Sequence, residues 1–380
     1  MRGNRIGVLV AIAAGAAGCS GSLPPRPEIV LFIDTDAPVV GQLAGDATLS
    51  ADAAIDTVRV EVFSNDGAIS RDDLQTFLVP QASSWPVSFG IDVSKHGGSA
   101  VRVRVRGFRS DRSTAGLLDG KATLDPIPEA TIDRLVDLPS PSGGVDHVRV
   151  TLHGACMGAP AGFDPPASCI DEHTLAGDPT AGVDDVDPRG LVTAAGSWTD
   201  AAARPCDTSP PADAPDPVCV QGGFTLLGDV DFQGVDTLIQ VDSAPLIPAV
   251  VSPVYLDREE FTVGRLRQLV LAGSYTGDMP LSPGNPGDLG GMAAACTWVD
   301  DPHDASHDDL PLTCVFPAVA DAICAAVGGF LPSEAAWEHA ARGRGAGRLF
   351  PWGEDAPSCD RVCASRRETP EGAPECSGPL

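Results

Sequence analysis

Gly328-Gly329-Phe330-Leu331-Pro332-Ser333-Glu334-Ala335-Ala336-Trp337-Glu338-His339-Ala340-Ala341-Arg342-Gly343 is the stretch whose reading decides the fold. Two glycines stop a preceding helix, because they take left-handed backbone angles without steric cost. Pro332 disfavours the helical region for the residue before it. Ser333 is an N-cap residue, whose hydroxyl accepts a backbone N–H one turn on. Glu334 then sits at the positive end of the new helix dipole. Ala336, Trp337, Ala340 and Ala341 read as an inner face at helical spacing. Gly343 after Arg342 is a stop. Glu338 and Arg342 stand four apart, so they are expected to pair on the helix surface, worth a few tenths of a kcal/mol. Trp337 is expected to be a buried core aromatic, and so is Trp352 in the turn Arg348-Leu349-Phe350-Pro351-Trp352-Gly353.

Gly329-x-Leu331-Pro332-Ser333-Glu334-x-x-Trp337-Glu338-x-Ala340-Ala341-Arg342-Gly343, followed by Leu349-Phe350-Pro351-Trp352-Gly353, resembles the formylglycine-generating enzyme, or sulfatase-modifying factor, family. Two upstream pieces agree in order. Gly222-Gly223-Phe224-Thr225-Leu226-Leu227-Gly228 looks like that family's opening strand. Tyr255-Leu256-Asp257-Arg258-Glu259-Glu260-Phe261-Thr262 looks like its next strand running into its first helix. The resemblance covers the last two-fifths of the chain. It implies an α+β domain of the C-type-lectin-like kind. It also implies the activity of the complete family, the oxidation of a client sulfatase cysteine to formylglycine with copper and oxygen. The family motif positions here are Gly223, Glu260, Thr262, Leu331, Pro332, Ser333, Glu334, Trp337, Glu338, Arg342, Gly343, Pro351, Trp352 and Gly353, all read as structural. Ala336 and Phe330 depart from the family's usual acidic and basic residues. The chain stops at Leu380, before the family's Asn-Val-x-Glu-Trp segment and the late cysteine pair of its copper-dependent members. The domain is therefore expected to be incomplete, with no catalytic residue and no metal site of its own. Copper belongs only to a complete domain.

The composition bounds the partners. A net charge of −27 over 380 residues argues against nucleic acid and against direct adhesion to anionic membranes. The first residues read as a signal peptide over 1–18. Arg2 and Arg5 precede an apolar run from Ile6 to Ala17, which is too short to span a bilayer as a mature helix. Ala17-Gly18-Cys19 resembles a bacterial lipobox, so Cys19 is the expected lipidation site and a lipid anchor the expected link to a membrane. Export to the cell envelope follows, with the outer membrane favoured over the inner.

Cysteine usage agrees with export. Of 11 cysteines, setting Cys19 aside leaves an even set: Cys156, Cys169, Cys206, Cys219, Cys296, Cys314, Cys324, Cys359, Cys363 and Cys376. In an oxidising compartment these are disulfide candidates. Cys296 and Cys314 bracket a loop with little apolar material, and a bridge there would contribute roughly 3 kcal/mol in the chain-entropy model.

The chain divides as a multidomain protein. Residues 19–28 are a Pro-containing tether. Residues 29–153 read as an all-β, immunoglobulin-like sandwich, with Val101-Arg102-Val103-Arg104-Val105-Arg106 the clearest period-two run. Its valines face inward, and its arginines are expected on a solvated face rather than as an anion-binding strip. Residues 154–221 read as an acidic linker stapled by one or two disulfides. Asp184-Asp185-Val186-Asp187 there leaves calcium open but lacks the glycine and terminal glutamate of an EF-hand loop. Residues 222–380 are the family-like domain. Its helices are expected from Thr262 as N-cap, from Pro317 at the first helical position, and from Ser333. Between the first two runs a long loop. His303-x-x-x-His307 lies in it among aspartates, and Pro302 argues against the helix that would aim both imidazoles at one metal. Two functions are consistent with this reading. One is a non-catalytic binding or scaffold lipoprotein with a protein or glycan ligand. The other is a fragment of a formylglycine-generating oxidase.

Overall fold

The computed structural model describes residues 26–39, 53–63, 69–79, 81–96, 100–118, 121–171, 174–201, 203–206, 209–210, 216–228, 246–283, 296–344, 348, 350–353 and 355. Cys19 with the whole leader, and Cys359, Cys363 and Cys376, lie outside them. In chain order the strands are β1 (Glu28–Thr35), β2 (Thr57–Phe63), β3 (Ile69–Leu78), β4 (Val87–Asp92), β5 (Ala100–Phe108), β6 (Ser113–Leu118), β7 (Lys121–Pro126), β8 (Thr131–Pro139) and β9 (Val145–Leu152). There follow β10 (Gly162–Phe163), β11 (Pro166–Asp171), β12 (Thr174–Ala176), β13 (Val183–Asp185), β14 (Val218–Val220), β15 (Gly223–Leu227), β16 (Ile247–Val251) and β17 (Val254–Leu256). The helices are α1 (Val263–Leu271), α2 (Pro317–Ala326) and α3 (Glu334–Ala341).

Alternating valines build the first half of this mostly-β chain. Period-two side chains point to opposite faces of a strand, so Val58, Val60 and Val62 of β2 and Val101, Val103 and Val105 of β5 form one apolar layer. They belong to a four-stranded antiparallel sheet of order β3-β2-β5-β8. A second sheet has the order β13-β9-β1-β4, with β1 parallel to β9 and antiparallel to β4. Ile29, Leu31 and Ile33 of β1 and Val148, Val150 and Leu152 of β9 join the valines in a single core.

The outer face of β2 and β5 is not the solvated face expected. Arg59, Glu61 and Asp133 are 4%, 3% and 3% exposed. Register explains the pairing. Glu61 lies opposite Arg104, Arg106 opposite Asp133, and Arg102 opposite Asp137, so unlike charges meet across strands. Arg102 makes a two-pronged contact with Asp137, at 2.7 and 2.8 Å. Arg104 donates to Asp133 at 3.0 Å and lies 3.4 Å from Glu61. The β6–β7 hairpin covers the row, with Thr123 and Asp125 accepting from Arg59. Phe163 of β10 lies on Arg104 and against Phe63. Sequence periodicity marked the face as outward but not what lay on top of it. Burial pushes Arg106 down, reinforced by Arg104 and partly offset by Asp133 and Glu61.

Residues 154–221 also differ from the expected solvated linker. β10, β11 and β12 form a small sheet, and β13 extends the β9 edge. Asp34, fully buried at the end of β1, accepts from Thr193 Oγ1 at 2.8 Å and the Ala194 N–H at 2.9 Å. Asp36 accepts from the Gly154 N–H at 2.7 Å and meets His153 Nδ1 at 2.6 Å. Ala195 and Ala201 enter the sandwich core, and Trp198 packs on it. Low hydrophobicity misled the reading, because buried hydrogen bonds to two aspartates hold the segment rather than apolar periodicity. Cys156–Cys169 and Cys206–Cys219 are disulfides, and Cys296–Cys314 is the third.

In the family-like part β15 pairs with β16, and β14 with β17, in two-stranded antiparallel sheets. Phe224 of β15 reaches into the sandwich core. A second core forms between α1, α2 and the loop that follows α1, from Val263, Leu266, Tyr275, Trp298, Val319 and Ile323. Thr262 caps α1 and Pro317 opens α2, as the local sequence dictates.

The charge ladder makes Asp133 a sensitive position. Asp133→Asn leaves Arg104 and Arg106 short of a buried counter-charge, and breaking such a pair costs about 3–5 kcal/mol. Denaturant unfolding measures this. A loss within about 0.5 kcal/mol, the range of ordinary surface substitutions, would show that water screens the row.

Candidate functional site

Helix α3 ties two of the sequence motifs together. Ser333 Oγ accepts the Ala336 N–H at 3.2 Å, so the helix starts where the sequence places it. Glu338 Oε1 accepts the Gly228 N–H at 2.9 Å, Arg342 donates to the Gly228 carbonyl, and Arg342 and Glu338 pair at 2.9 Å. Gly228 has φ +86°, a conformation that favours glycine. The pair is thus a clamp on the end of β15 rather than the surface ion pair expected.

Trp337 corrects the sequence reading. Its side chain is 61% exposed, while Ala336 and His339 are buried. Consecutive helical residues differ by about 100°, so a stripe holding residues 336, 339 and 340 turns Trp337 away. The buried aromatic on that stripe is His339, at 1% exposure, and no local pattern singles it out. His339 Nε2 donates to the Gln221 carbonyl at 3.0 Å. Burial lowers its pKa, with Arg344 adding to the effect and the Gln221 hydrogen bond opposing it, so the imidazole is neutral at neutral pH. Trp352, also expected in the core, is half-buried. It stacks on Phe350 at 5.1 Å and donates from Nε1 to the Asp355 carbonyl at 3.0 Å.

Two further motif residues, Glu260 and Pro332, line a cleft of about 670 Å³ together with residues that flank the motifs. One wall is Tyr255 and Leu256 of β17 with the following turn, Asp257 to Phe261. The other is the end of α2, Cys324 and Val327, with Gly328, Gly329, Phe330 and Pro332. Gly328 has φ +75° and turns the chain out of α2. Arg265 of α1 pairs with Asp257 at 2.5 Å and lies over the Phe261 ring at 4.5 Å. Glu259 and Glu260 stand exposed at the mouth, and Phe330 is 66% exposed. Most of this surface is apolar, with charge at the rim, which suits reversible binding of a partner.

Cys324 is the one candidate disulfide cysteine in the cleft, and it is a free thiol. Burial pushes its pKa up, and the Asp257 and Asp321 charges push it further, against a smaller opposing effect of Arg265. It stays a thiol at neutral pH. Copper(I) is held by thiolates. The described cleft residues therefore do not fit copper: they offer one sulfur where two are needed, and the other described cysteines are in disulfides. His307 Nδ1 meets the Thr297 carbonyl at 2.8 Å, in a turn rather than on a helix. Asp184 pairs with Arg149, and Asp187 with Arg189. Among the described residues no three His, Cys, Asp or Glu side chains are grouped to hold a metal ion.

Four separated pieces of sequence thus meet around one clamp and one cleft. Residues 203–370 match the family described as sulfatase-modifying factor enzyme 1-like domain, so the chain carries a domain of that family. No curated protein matches the chain. A solved structure that resembles it is a protein described as an adhesin from Bacteroides ovatus, 15% identical over 34% of this chain and 46% of that one. The chain spans under half of that protein, and the TM-score is 0.20.

Clamp and tryptophan separate cleanly by mutation. Trp337→Ala should lower stability by less than about 1 kcal/mol, because the ring is mostly in water. Glu338→Ala strands the Gly228 N–H and the Arg342 charge and should cost about 1–3 kcal/mol. Chemical denaturation of both variants is the measurement, and the reverse order of costs would overturn the assignment.

Proposed function

We propose that this chain is an exported, lipid-anchored binding protein whose sulfatase-modifying-factor-like domain recognises a protein or glycan without catalysing oxidation. The observation that carries this reading is the lining of the cleft around Cys324. Cys324 is the one sulfur in the cleft's lining, whereas holding copper(I) for thiol oxidation takes more than one thiolate. The cleft's apolar walls and charged rim support recognition instead. The fold class proposed for this domain is the C-type-lectin-like one. For the first half it is an immunoglobulin-like sandwich, supported by two four-stranded sheets around one core. The family match favours one rival, a fragment of a formylglycine-generating oxidase.

The deciding experiment incubates purified protein with copper, oxygen and a cysteine-containing sulfatase-motif peptide. Mass spectrometry should find the peptide thiol intact. Turnover that disappears in Cys324→Ala, or in Cys359→Ala or Cys363→Ala, would establish the oxidase.

Anchoring rests on Ala17-Gly18-Cys19 after a charged start and an apolar run. No helix among the described residues is long and apolar enough to cross a membrane. Two or more acyl chains give stable anchoring where one does not. Cys19→Ala should therefore move the protein from the detergent phase to the aqueous phase, and a variant that still partitions with membranes refutes lipidation at Cys19.

A further inference from the structure

A second cleft lies at the seam between the sandwich and the family-like domain. It encloses about 430 Å³ between Gly154 to Met157, the turn at Trp198 to Asp200, Arg204, and the β15–β16 hairpin. Its rigidity comes from the elements already described. Trp198 lies flat enough on Gly154 that a Cβ there would stand 2.1 Å from the indole Cε3. The ring also tilts against Phe224 at 5.9 Å. Arg204 exchanges backbone hydrogen bonds with Gly222 at 2.9 and 3.0 Å, two residues before the Cys206–Cys219 disulfide.

Among the described residues Arg204, like the buried Arg134, has no carboxylate partner, and of the two it is Arg204 that lines a cleft. The arginines of the charge ladder and of α1 and α3 meet carboxylates. Among the described residues the Arg204 side chain meets none, and its Nε is buried with no acceptor. Arg204 as a whole is half-buried, and its two Nη groups are not among the buried unpartnered atoms, so they stand open to an anion that would accept charge-assisted hydrogen bonds. Asp200 also lines the cleft and, among the described residues, makes no ion pair with Arg204. The site therefore offers a donor fork, a separate acceptor, the Ser252 hydroxyl and an aromatic surface.

We propose that the seam cleft binds a sugar that carries a carboxylate, a uronic acid. The carboxylate takes the guanidinium fork, which matches its two oxygens. Ring hydroxyls donate to Asp200, and the C–H face of the ring lies on Trp198. A bare anion such as phosphate satisfies Arg204 but faces the Asp200 charge. A neutral sugar satisfies Asp200 and leaves Arg204 unpaired. Only a ligand with a carboxylate at one end and hydroxyls at the other uses both groups. The volume is within the range of small-ligand sites. This site is separate from the cleft around Cys324, and the inference does not depend on that cleft's function.

Isothermal titration of the full chain with glucuronate, glucose and acetate tests it. Glucuronate should bind about tenfold more tightly than either of the others, the effect of one charge-assisted hydrogen-bonding group. Arg204→Gln should abolish the preference of glucuronate over glucose, with the thermal unfolding midpoint reporting that the variant is folded. If that variant does not fold, Arg204→Lys keeps the charge, removes the fork and should reduce the preference. Acetate binding as tightly as glucuronate would reduce the site to a bare carboxylate pocket and overturn the proposal. So would glucuronate binding no tighter than glucose, no binding of any of the three, or a folded Arg204→Gln with its preference intact.

Discussion

Two aspartates at the end of β1 decide how the molecule holds together. Asp34 is fully buried, and a buried carboxylate must be matched by donors. It finds them in Thr193 and Ala194, some 160 residues away in the chain. Asp36 finds the Gly154 N–H and His153. These bonds fold the long, polar segment after β9 back onto the sandwich and bring Trp198 beside Gly154. Phe224 can then enter the same core. The first strand of the family-like domain is thereby part of the sandwich's packing, and the seam cleft exists because of it.

The same logic of satisfied charge recurs across the chain. The ladder over β2, β5 and β8 is buried, so each arginine needs its cross-strand carboxylate. The clamp on Gly228 matches a backbone donor and acceptor with Glu338 and Arg342 at once. Burying charge in this way adds little net stability, because desolvation offsets the attraction, but it fixes register. A sheet slipped by one residue would set arginines against the apolar layer.

The two clefts differ chemically. The cleft around Cys324 is mostly apolar, with its one arginine already engaged by Asp257 and Phe261. The seam cleft is more polar, and among the described residues its Arg204 side chain has no carboxylate partner. Their linings come from different elements, so occupation of one makes no direct demand on the other.

Local chemistry is legible in the sequence wherever near neighbours decide it. Thr262, Pro317 and Ser333 open their helices because capping needs only the next turn of backbone. Alternating Val and Arg in β5 announces a strand with one inner face, because side-chain direction follows the pleat. The Cys296–Cys314 bridge was readable from the loop it closes. Tertiary structure decided what lies across from each residue. It put a hairpin over the arginine row, and it turned His339 inward and Trp337 out. It left Cys324 a thiol, and it joined Asp34 to a segment whose composition reads as linker. Each of these depends on partners far off in the chain, and neither periodicity nor composition carries information about partners at that distance.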